Sequence, residues 1–251
     1  MISHSNQNNR RPRRHDLIFV SPVAWRSLLK TRDDLAGEPL VIEWVDRGWP
    51  LVARRTLPGE ADGLPLGLPL PPYAGKRRLS VLIQPEGIVS TAPAPGLSAA
   101  ISVAPNRWQH TLGAVVRLAS RYGVEARIFG SLAWCALTGL DYLTDTSDLD
   151  LLLPIHCGSD LVRLTADLAA IEATAPMRLD GELVRDDGAG VNWRELHAGA
   201  RELLVKTTDG VALLDANLFL SNGTVLHPSE GAIDTTLCDL GSLSERSVHA
   251  W

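Results

Sequence analysis

Two aspartates alternate with leucines in the segment DLDLLLP, residues 148–154. Successive side chains of a β-strand point to opposite faces, so Asp148 and Asp150 would share one face while leucines fill the other. Two carboxylates held side by side repel each other, and partial burial raises the cost of each charge. Hard divalent ions such as Mg²⁺ remove this cost, since they bind carboxylate oxygens together with substrate phosphates. The spacing therefore predicts a metal site that handles phosphate.

A third carboxylate comes from the segment RLDGEL, which reads as another strand. Asp180 and Glu182 are two residues apart and would lie on one face of it, together with Arg178. We expect Asp180 to complete the metal site, and Glu182 stays open as the alternative.

Gly130 and Ser131 stand directly before an apolar segment, LAWCALTG, that reads as a helix. Glycine allows backbone to approach a ligand closely, and the free N–H groups of a helix start attract phosphate. We therefore predict that Gly130 and Ser131 bind substrate phosphate. Lys206, which alternates out of the apolar strand ELLVKT, is a further candidate for a phosphate oxygen.

Each of these features also has a plainer interpretation. Acidic residues are common at exposed strand starts, and a lysine on a strand is often a solvated edge charge. A lone Gly-Ser pair or a lone DxD motif is a weak signal. The ordered combination of Gly-Ser turn, helix, DxD strand, helix and third acidic strand is what favours catalysis.

The first third of the chain reads as a small β-rich domain. Between its strands, GLPLGLPLPPYAGKRR carries too much proline and glycine for a regular element. The expected strands are residues 16–20, 39–45, 50–55 and 77–83.

Downstream, helices alternate with strands, which predicts an α+β chain whose second half is a mixed sheet with helices. The expected elements are a helix within 105–123, a strand at 125–129, a helix at 131–139, a strand at 148–154, a helix at 159–174, a strand at 177–184, a short helix within 192–200 and a hairpin around Asp209-Gly210. We divide the chain into a flexible basic tail (1–14), a β-rich domain (15–95), a catalytic domain (96–226) and a C-terminal tail (227–251).

Composition limits the class of protein. The 251 residues are 45% hydrophobic and 21% charged, which is typical of a globular protein, and the net charge of −5 argues against a nucleic-acid partner. No apolar run reaches the roughly 20 residues that span a bilayer. Three dispersed cysteines suit a reducing compartment, so we expect a cytoplasmic protein without a membrane partner.

The ordered set of motifs resembles the polymerase beta-like nucleotidyltransferase superfamily, although residues 132–147 make a longer link between turn and DxD strand than is usual there. GSLAWCALTGLDYLTDTSDLDLLL, preceded by RRHDLIFV and WVDRGWPLVARR and followed by RLDGELV and NWREL, narrows the family. These stretches resemble the malonate decarboxylase holo-acyl-carrier-protein synthases, also called phosphoribosyl-dephospho-CoA transferases. The likeness runs from about residue 13 to about residue 215.

The resemblance implies a reaction. The donor would be 2′-(5″-triphosphoribosyl)-3′-dephospho-CoA, and the acceptor a serine on the acyl-carrier subunit of malonate decarboxylase. Asp148, Asp150 and Asp180 would hold Mg²⁺ or Mn²⁺, and Ser131 would bind the leaving pyrophosphate. Arg54 and Arg55 would meet the donor or the acidic face of the carrier protein.

Two other classes stay open at this point. Another metal-dependent nucleotidyltransferase, acting on a protein or a small alcohol, would share every catalytic residue. A non-catalytic nucleotide-binding module would keep the fold and lose a carboxylate. A metal-dependent glycosyltransferase also uses DxD, but it leaves the Gly-Ser helix unexplained.

Overall fold

The computed structural model describes residues 11–60, 62–156 and 159–221. These residues form two β-sheets, each with its own helices, which confirms an α+β chain with a β-rich N-terminal part. The tail predicted for residues 227–251 lies outside the described residues, as do residues 1–10. None of the described helices is both long and apolar enough to cross a membrane.

The N-terminal sheet has five strands, all antiparallel, in the order β4-β3-β2-β1-β5. They are β1 Leu17–Val20, β2 Leu51–Ala53, β3 Leu64–Pro69, β4 Arg78–Ile83 and β5 Ile88–Ala92. Three short helices join β1 to β2: α1 Pro22–Leu29, α2 Asp33–Ala36 and α3 Pro39–Glu43.

The strand predicted at residues 39–45 is wrong, because this segment begins with helix α3. Pro39 occupies the first helical turn, where its missing N–H leaves no bond unmade. Val41 and Trp44, three residues apart, then face the core and are fully buried. The apolar run PLVIEWV is too short for its sequence to distinguish the helical period from strand alternation.

Strand β3 corrects a second prediction, since it lies inside the segment thought too rich in proline and glycine for a regular element. Strand β2 has only three residues, and it pairs with Leu66 and Gly67 alone. Pro65 and Pro69 therefore fall outside the β2 ladder, where a missing N–H breaks no bond.

The second sheet is mixed and has six strands in the order β11-β10-β9-β8-β7-β6. Only β7 and β8 are parallel, and helix α6 crosses between them, as a parallel connection requires. The strands are β6 Arg127–Ile128, β7 Leu149–Pro154, β8 Leu179–Val184, β9 Gly190–Asn192, β10 Glu202–Lys206 and β11 Val211–Asp215. The helices are α4 Gln109–Arg121, α5 Gly130–Thr138, α6 Leu161–Glu172, α7 Trp193–His197 and α8 Ala216–Leu220. The hairpin expected around Asp209-Gly210 is confirmed as β10–β11.

Helix α5 lies between two hydrophobic cores. Leu132 and Ala133 belong to the core of the second sheet, whereas Trp134 and Cys135 pack into the core of the first. The link that follows α5 continues this contact, because Tyr142 is buried in the first core and its hydroxyl donates to the Pro69 carbonyl at 3.0 Å. The long link seen in the sequence thus joins the two halves.

The segment predicted as a flexible tail is ordered at its end. Arg14, whose side chain is only 9% exposed, pairs with Glu182 of β8, while Arg13 donates to the Asp186 carbonyl. The assignment of Arg13 and Arg14 to a solvated tail is therefore wrong, because a long-range carboxylate and carbonyl bind them.

The packing of β8 leaves no room for a side chain at Gly181. A Cβ at this position would lie 2.9 Å from Cδ1 of Trp193, whose indole Nε1 donates to the Leu179 carbonyl at 3.0 Å. We expect Gly181→Ala to lower the free energy of unfolding by about 1–3 kcal/mol, the usual cost of overpacking. Urea unfolding measures this change. Gly210→Ala, where a Cβ meets nothing within 4 Å, is the control, and an equal loss in both variants would contradict the prediction.

Candidate functional site

Asp150 and Asp180 are brought side by side by the parallel pairing of β7 and β8. They are direct register partners, and both line one cavity of about 270 Å³ between the two sheets. Asp148 is half-buried just before β7 begins and, within the described chain, is absent from the cavity wall. The structure thus joins two of the three predicted carboxylates across strands and places the third at the strand entrance.

The Gly130-Ser131 turn contacts Asp150 directly. Gly130 has a φ of +64°, and a Cβ there would lie 1.9 Å from Oδ2 of Asp150. The backbone N–H of Phe129 also donates to the Asp150 carbonyl at 3.2 Å. Only glycine fits this position, since it tolerates the left-handed conformation and leaves room for the carboxylate. Both Gly130 and Ser131 line the cavity.

The local charge changes the protonation of Asp150. Burial, and then the neighbouring charges of Asp180 and Asp148, raise the pKa of Asp150 to about 7, and Arg78 opposes this only in part. The carboxylates therefore carry more negative charge than their surroundings neutralise.

Asp180 has a different environment on the adjacent strand. Its Oδ1 accepts a hydrogen bond from Nδ2 of Asn192 at 3.0 Å and lies 3.9 Å from Nη2 of Arg178. These partners fix the orientation of the carboxylate while its side chain stays 37% exposed, so it can still meet a ligand in the cavity.

Glu182 belongs to a buried ion cluster, which argues against it as the third metal ligand. Its carboxylate pairs with Arg14 and accepts from Nζ of Lys206 at 2.9 Å. Burial alone would raise the pKa of Glu182, but Arg14, His15 and Lys206 outweigh it and lower that pKa to about 2. Asp180 therefore stays the predicted third carboxylate of the metal site.

The phosphate role predicted for Lys206 finds no support in this arrangement. Its ammonium is bound to Glu182, and within the described chain Lys206 does not reach the cavity wall. Alternation along β10 showed which face the side chain takes, but only the neighbouring strands decide what that face meets.

His15 is a cavity residue that the sequence did not single out. Its ring is buried, its centroid lies 4.2 Å from that of Phe129, and its backbone has a φ of 70°. Burial, and then the charge of Arg14, lower the pKa of His15 to about 3, so the imidazole is neutral at physiological pH. It supports the residue that precedes the Gly130-Ser131 turn.

The part of the cavity wall that comes from the N-terminal half is basic, and its cationic residues are Arg54, Arg55, Lys76, Arg77 and Arg78. Arg54 is buried and forms a bidentate pair with the Glu60 carboxylate. The contact expected between Arg54 and a ligand stays a prediction. The run KRR at residues 76–78 is the sequence signal for three of these cations, but it ends a segment whose proline and glycine content predicts an irregular loop.

The chemistry of the carboxylates fits a divalent cation. Their unneutralised charge, and the pKa of Asp150 that results from it, are what a hard cation would relieve. Among residues 11–60, 62–156 and 159–221, no three acidic, histidine or cysteine side chains form a ready-made metal cluster.

The raised pKa of Asp150 predicts a pH-dependent stability. A carboxylate whose folded-state pKa exceeds its unfolded value destabilises the fold as pH rises from about 4 to about 7. Asp150→Asn should therefore raise the melting temperature of the metal-free protein by about 2–4 °C or more at pH 8. The rise should be smaller at pH 5. Thermal unfolding at the two pH values measures this. Asp145→Asn, with a side chain 96% exposed, is the control, and a gain independent of pH would contradict the prediction.

Comparison with known proteins covers both halves of the chain. The family model of the phosphoribosyl-dephospho-CoA transferase MdcG N-terminal domain matches residues 13–94, and that of the MdcG C-terminal domain matches residues 96–217. No solved structure matches the chain.

Curated relatives are similar over nearly their whole length, and all carry the name phosphoribosyl-dephospho-CoA transferase. One from Bradyrhizobium diazoefficiens is 52% identical over 224 residues, covering 89% of this chain and 99% of the relative. One from Xanthomonas campestris is 39% identical, covering 80% and 93%, and one from Pseudomonas putida is 30% identical, covering 81% and 93%. The chain therefore belongs to the phosphoribosyl-dephospho-CoA transferase MdcG family.

Proposed function

We propose that this chain transfers the phosphoribosyl-dephospho-CoA group from 2′-(5″-triphosphoribosyl)-3′-dephospho-CoA to a serine of the malonate decarboxylase acyl-carrier subunit. It is a transferase, as its family membership over both halves indicates. The observation that carries the donor chemistry is the cavity in which Asp150, Asp180 and the Gly130-Ser131 turn meet.

The reaction is nucleotidyl transfer in its bond changes. The serine oxygen attacks the α-phosphorus of the donor, the bond from that phosphorus to the β-phosphate oxygen breaks, and pyrophosphate leaves. The hydroxyl proton is released to water. Catalysis of this kind consists of positioning the two reactants and neutralising charge.

The carboxylates of β7 and β8 are assigned to metal binding. Asp148, Asp150 and Asp180 would hold Mg²⁺ or Mn²⁺, which supplies positive charge to the attacking and leaving oxygens when bound. Asp180 is oriented for this by Asn192.

The Gly130-Ser131 turn is assigned to the leaving phosphates. It opens α5, a nine-residue helix whose first N–H groups and dipole favour an anion. A Cβ at Gly130 would meet Asp150, so the turn lies beside this carboxylate, and their proximity supports an anion site next to the proposed metal site.

Mass spectrometry of the apo acyl-carrier subunit tests the function. Incubated with the enzyme, Mg²⁺ and the triphosphoribosyl donor, the subunit should gain the mass of phosphoribosyl-dephospho-CoA with release of pyrophosphate. Asp150→Asn and Asp148→Ala should slow this gain by about 10²–10³-fold, the usual loss when charge stabilisation is removed. Asp145→Asn should transfer at the wild-type rate, and EDTA should stop the reaction.

Other outcomes would point to the alternative functions. Transfer of AMP from ATP, with no gain from the triphosphoribosyl donor, would identify a different nucleotidyltransferase. Binding of the donor without any transfer would identify a nucleotide-binding module. Full activity of Asp148→Ala would remove that residue from the metal site.

Gly130, the first residue of α5, and Gly139, which directly follows the helix, allow the contact with Asp150 to be tested apart from backbone strain. Gly130 and Gly139 both have positive φ, of 64° and 72°, but a Cβ at Gly139 meets nothing within 4 Å. Both alanine variants should lose stability by about 1–2 kcal/mol, because an L-residue is strained there. Only Gly130→Ala should also lose transfer activity, by about 10²-fold or more, since it displaces the Asp150 carboxylate. Parallel measurement of melting temperature and kcat distinguishes the two effects, and equal activity in both variants would contradict the assignment.

A further inference from the structure

The basic wall of the cavity is formed by an ordered connection between β3 and β4. The backbone N–H of Leu70 donates to the Arg77 carbonyl at 2.7 Å, and that of Lys76 donates to the Pro71 carbonyl at 3.1 Å. Lys76 takes a φ of 51°, directly after Gly75 at 87°. The turn thus has a defined shape that presents a lysine in an uncommon conformation beside the cavity.

The connection is also anchored to the catalytic half. Tyr142, in the link after α5, donates to the Pro69 carbonyl at the end of β3, and its own ring is buried. The basic wall is therefore held at a fixed position relative to the helix that carries the Gly130-Ser131 turn.

Three consecutive cations, which we call the cationic rim, lie at the end of this connection and the start of β4: Lys76, Arg77 and Arg78. All three are exposed and line the cavity. Within the described chain, the only carboxylates on the cavity wall are Asp150 and Asp180. Arg77 pairs with Glu38, which lies outside the cavity, so the rim still presents a net positive charge to a ligand.

The donor named above has two separate anionic groups. One is the triphosphate that reacts, and the other is the 5′-diphosphate that joins the adenosine and pantetheine parts of dephospho-CoA. The proposed metal at the carboxylates and the start of α5 would bind the triphosphate. Neither of them offers positive charge to the 5′-diphosphate.

We infer that Lys76 and Arg77 of the cationic rim bind the 5′-diphosphate of the dephospho-CoA part of the donor. This inference rests on the proposed function, since the donor's second anionic group is part of it. Lysine offers a compact charge and arginine a planar fork of donors, and both bind diphosphate oxygens through charge-assisted hydrogen bonds. Arg78 already interacts electrostatically with Asp150, so it is not assigned to the diphosphate.

Isothermal titration with dephospho-CoA tests the rim without turnover. This probe contains the diphosphate and lacks the triphosphate. The double variant Lys76→Ala/Arg77→Ala should weaken its binding by about tenfold to a hundredfold, whereas binding of pyrophosphate with Mg²⁺ should change less than about twofold.

The matched control is Arg26→Ala/Lys30→Ala. Arg26 lies on α1 of the same half and Lys30 directly follows that helix; both are exposed and outside the cavity wall. Arg26 pairs with Asp46 much as Arg77 pairs with Glu38. Binding of dephospho-CoA by this control should match the wild type.

Several results would overturn the inference. An equal loss of pyrophosphate binding would assign the rim to the triphosphate. Unchanged dephospho-CoA binding with a raised, salt-dependent KM for the carrier subunit would assign it to protein docking. Absence of measurable dephospho-CoA binding to the wild type would remove the site. The proposed function is tested by a different result: it fails if the wild type transfers no phosphoribosyl-dephospho-CoA to the carrier subunit.

Discussion

Helix α5 is the element on which the site depends. Its residues are apolar on almost every side, and such a helix is stable only when it is buried all round. Two hydrophobic cores supply that burial, one through Leu132 and the other through Trp134. Because its position is fixed from both sides, the turn at its start is fixed too. Gly130 follows β6, which pairs with β7, so its close approach to Asp150 results from this strand pairing together with the burial of the helix.

A buried ion cluster connects the halves at a second place. Arg14 approaches from the chain before β1 and meets Glu182 of β8, which Lys206 of β10 also binds. His15, the next residue, also contacts both halves. Its backbone N–H donates to the Ala53 carbonyl of β2, and its imidazole packs on Phe129. Removing one partner from such a cluster leaves an uncompensated buried charge, so the cluster strongly favours one relative placement of the sheets.

The cavity between the halves has walls of opposite charge. Carboxylates from β7 and β8 form one wall, and the connection between β3 and β4 brings lysine and arginine side chains to the other. A ligand that carries several phosphates and binds a metal can satisfy both walls at once. A small anion or a free metal ion would satisfy only one of them.

Features encoded within a few residues of each other could be predicted from sequence. The DLDLLLP strand, the glycine turn before an apolar helix and the Asp209-Gly210 hairpin all follow from short-range periodicity and turn chemistry. The resemblance of whole segments placed the chain in its family. Only tertiary structure decided which side chains meet. It made Asp150 and Asp180 register partners and bound both Lys206 and Arg14 to Glu182. It also paired Arg54 with Glu60 and placed the KRR segment in a cavity wall. These contacts depend on pairing between strands that are distant in sequence. The two-residue alternation of a strand shows which face of the sheet a side chain takes, but not which residues that face contacts.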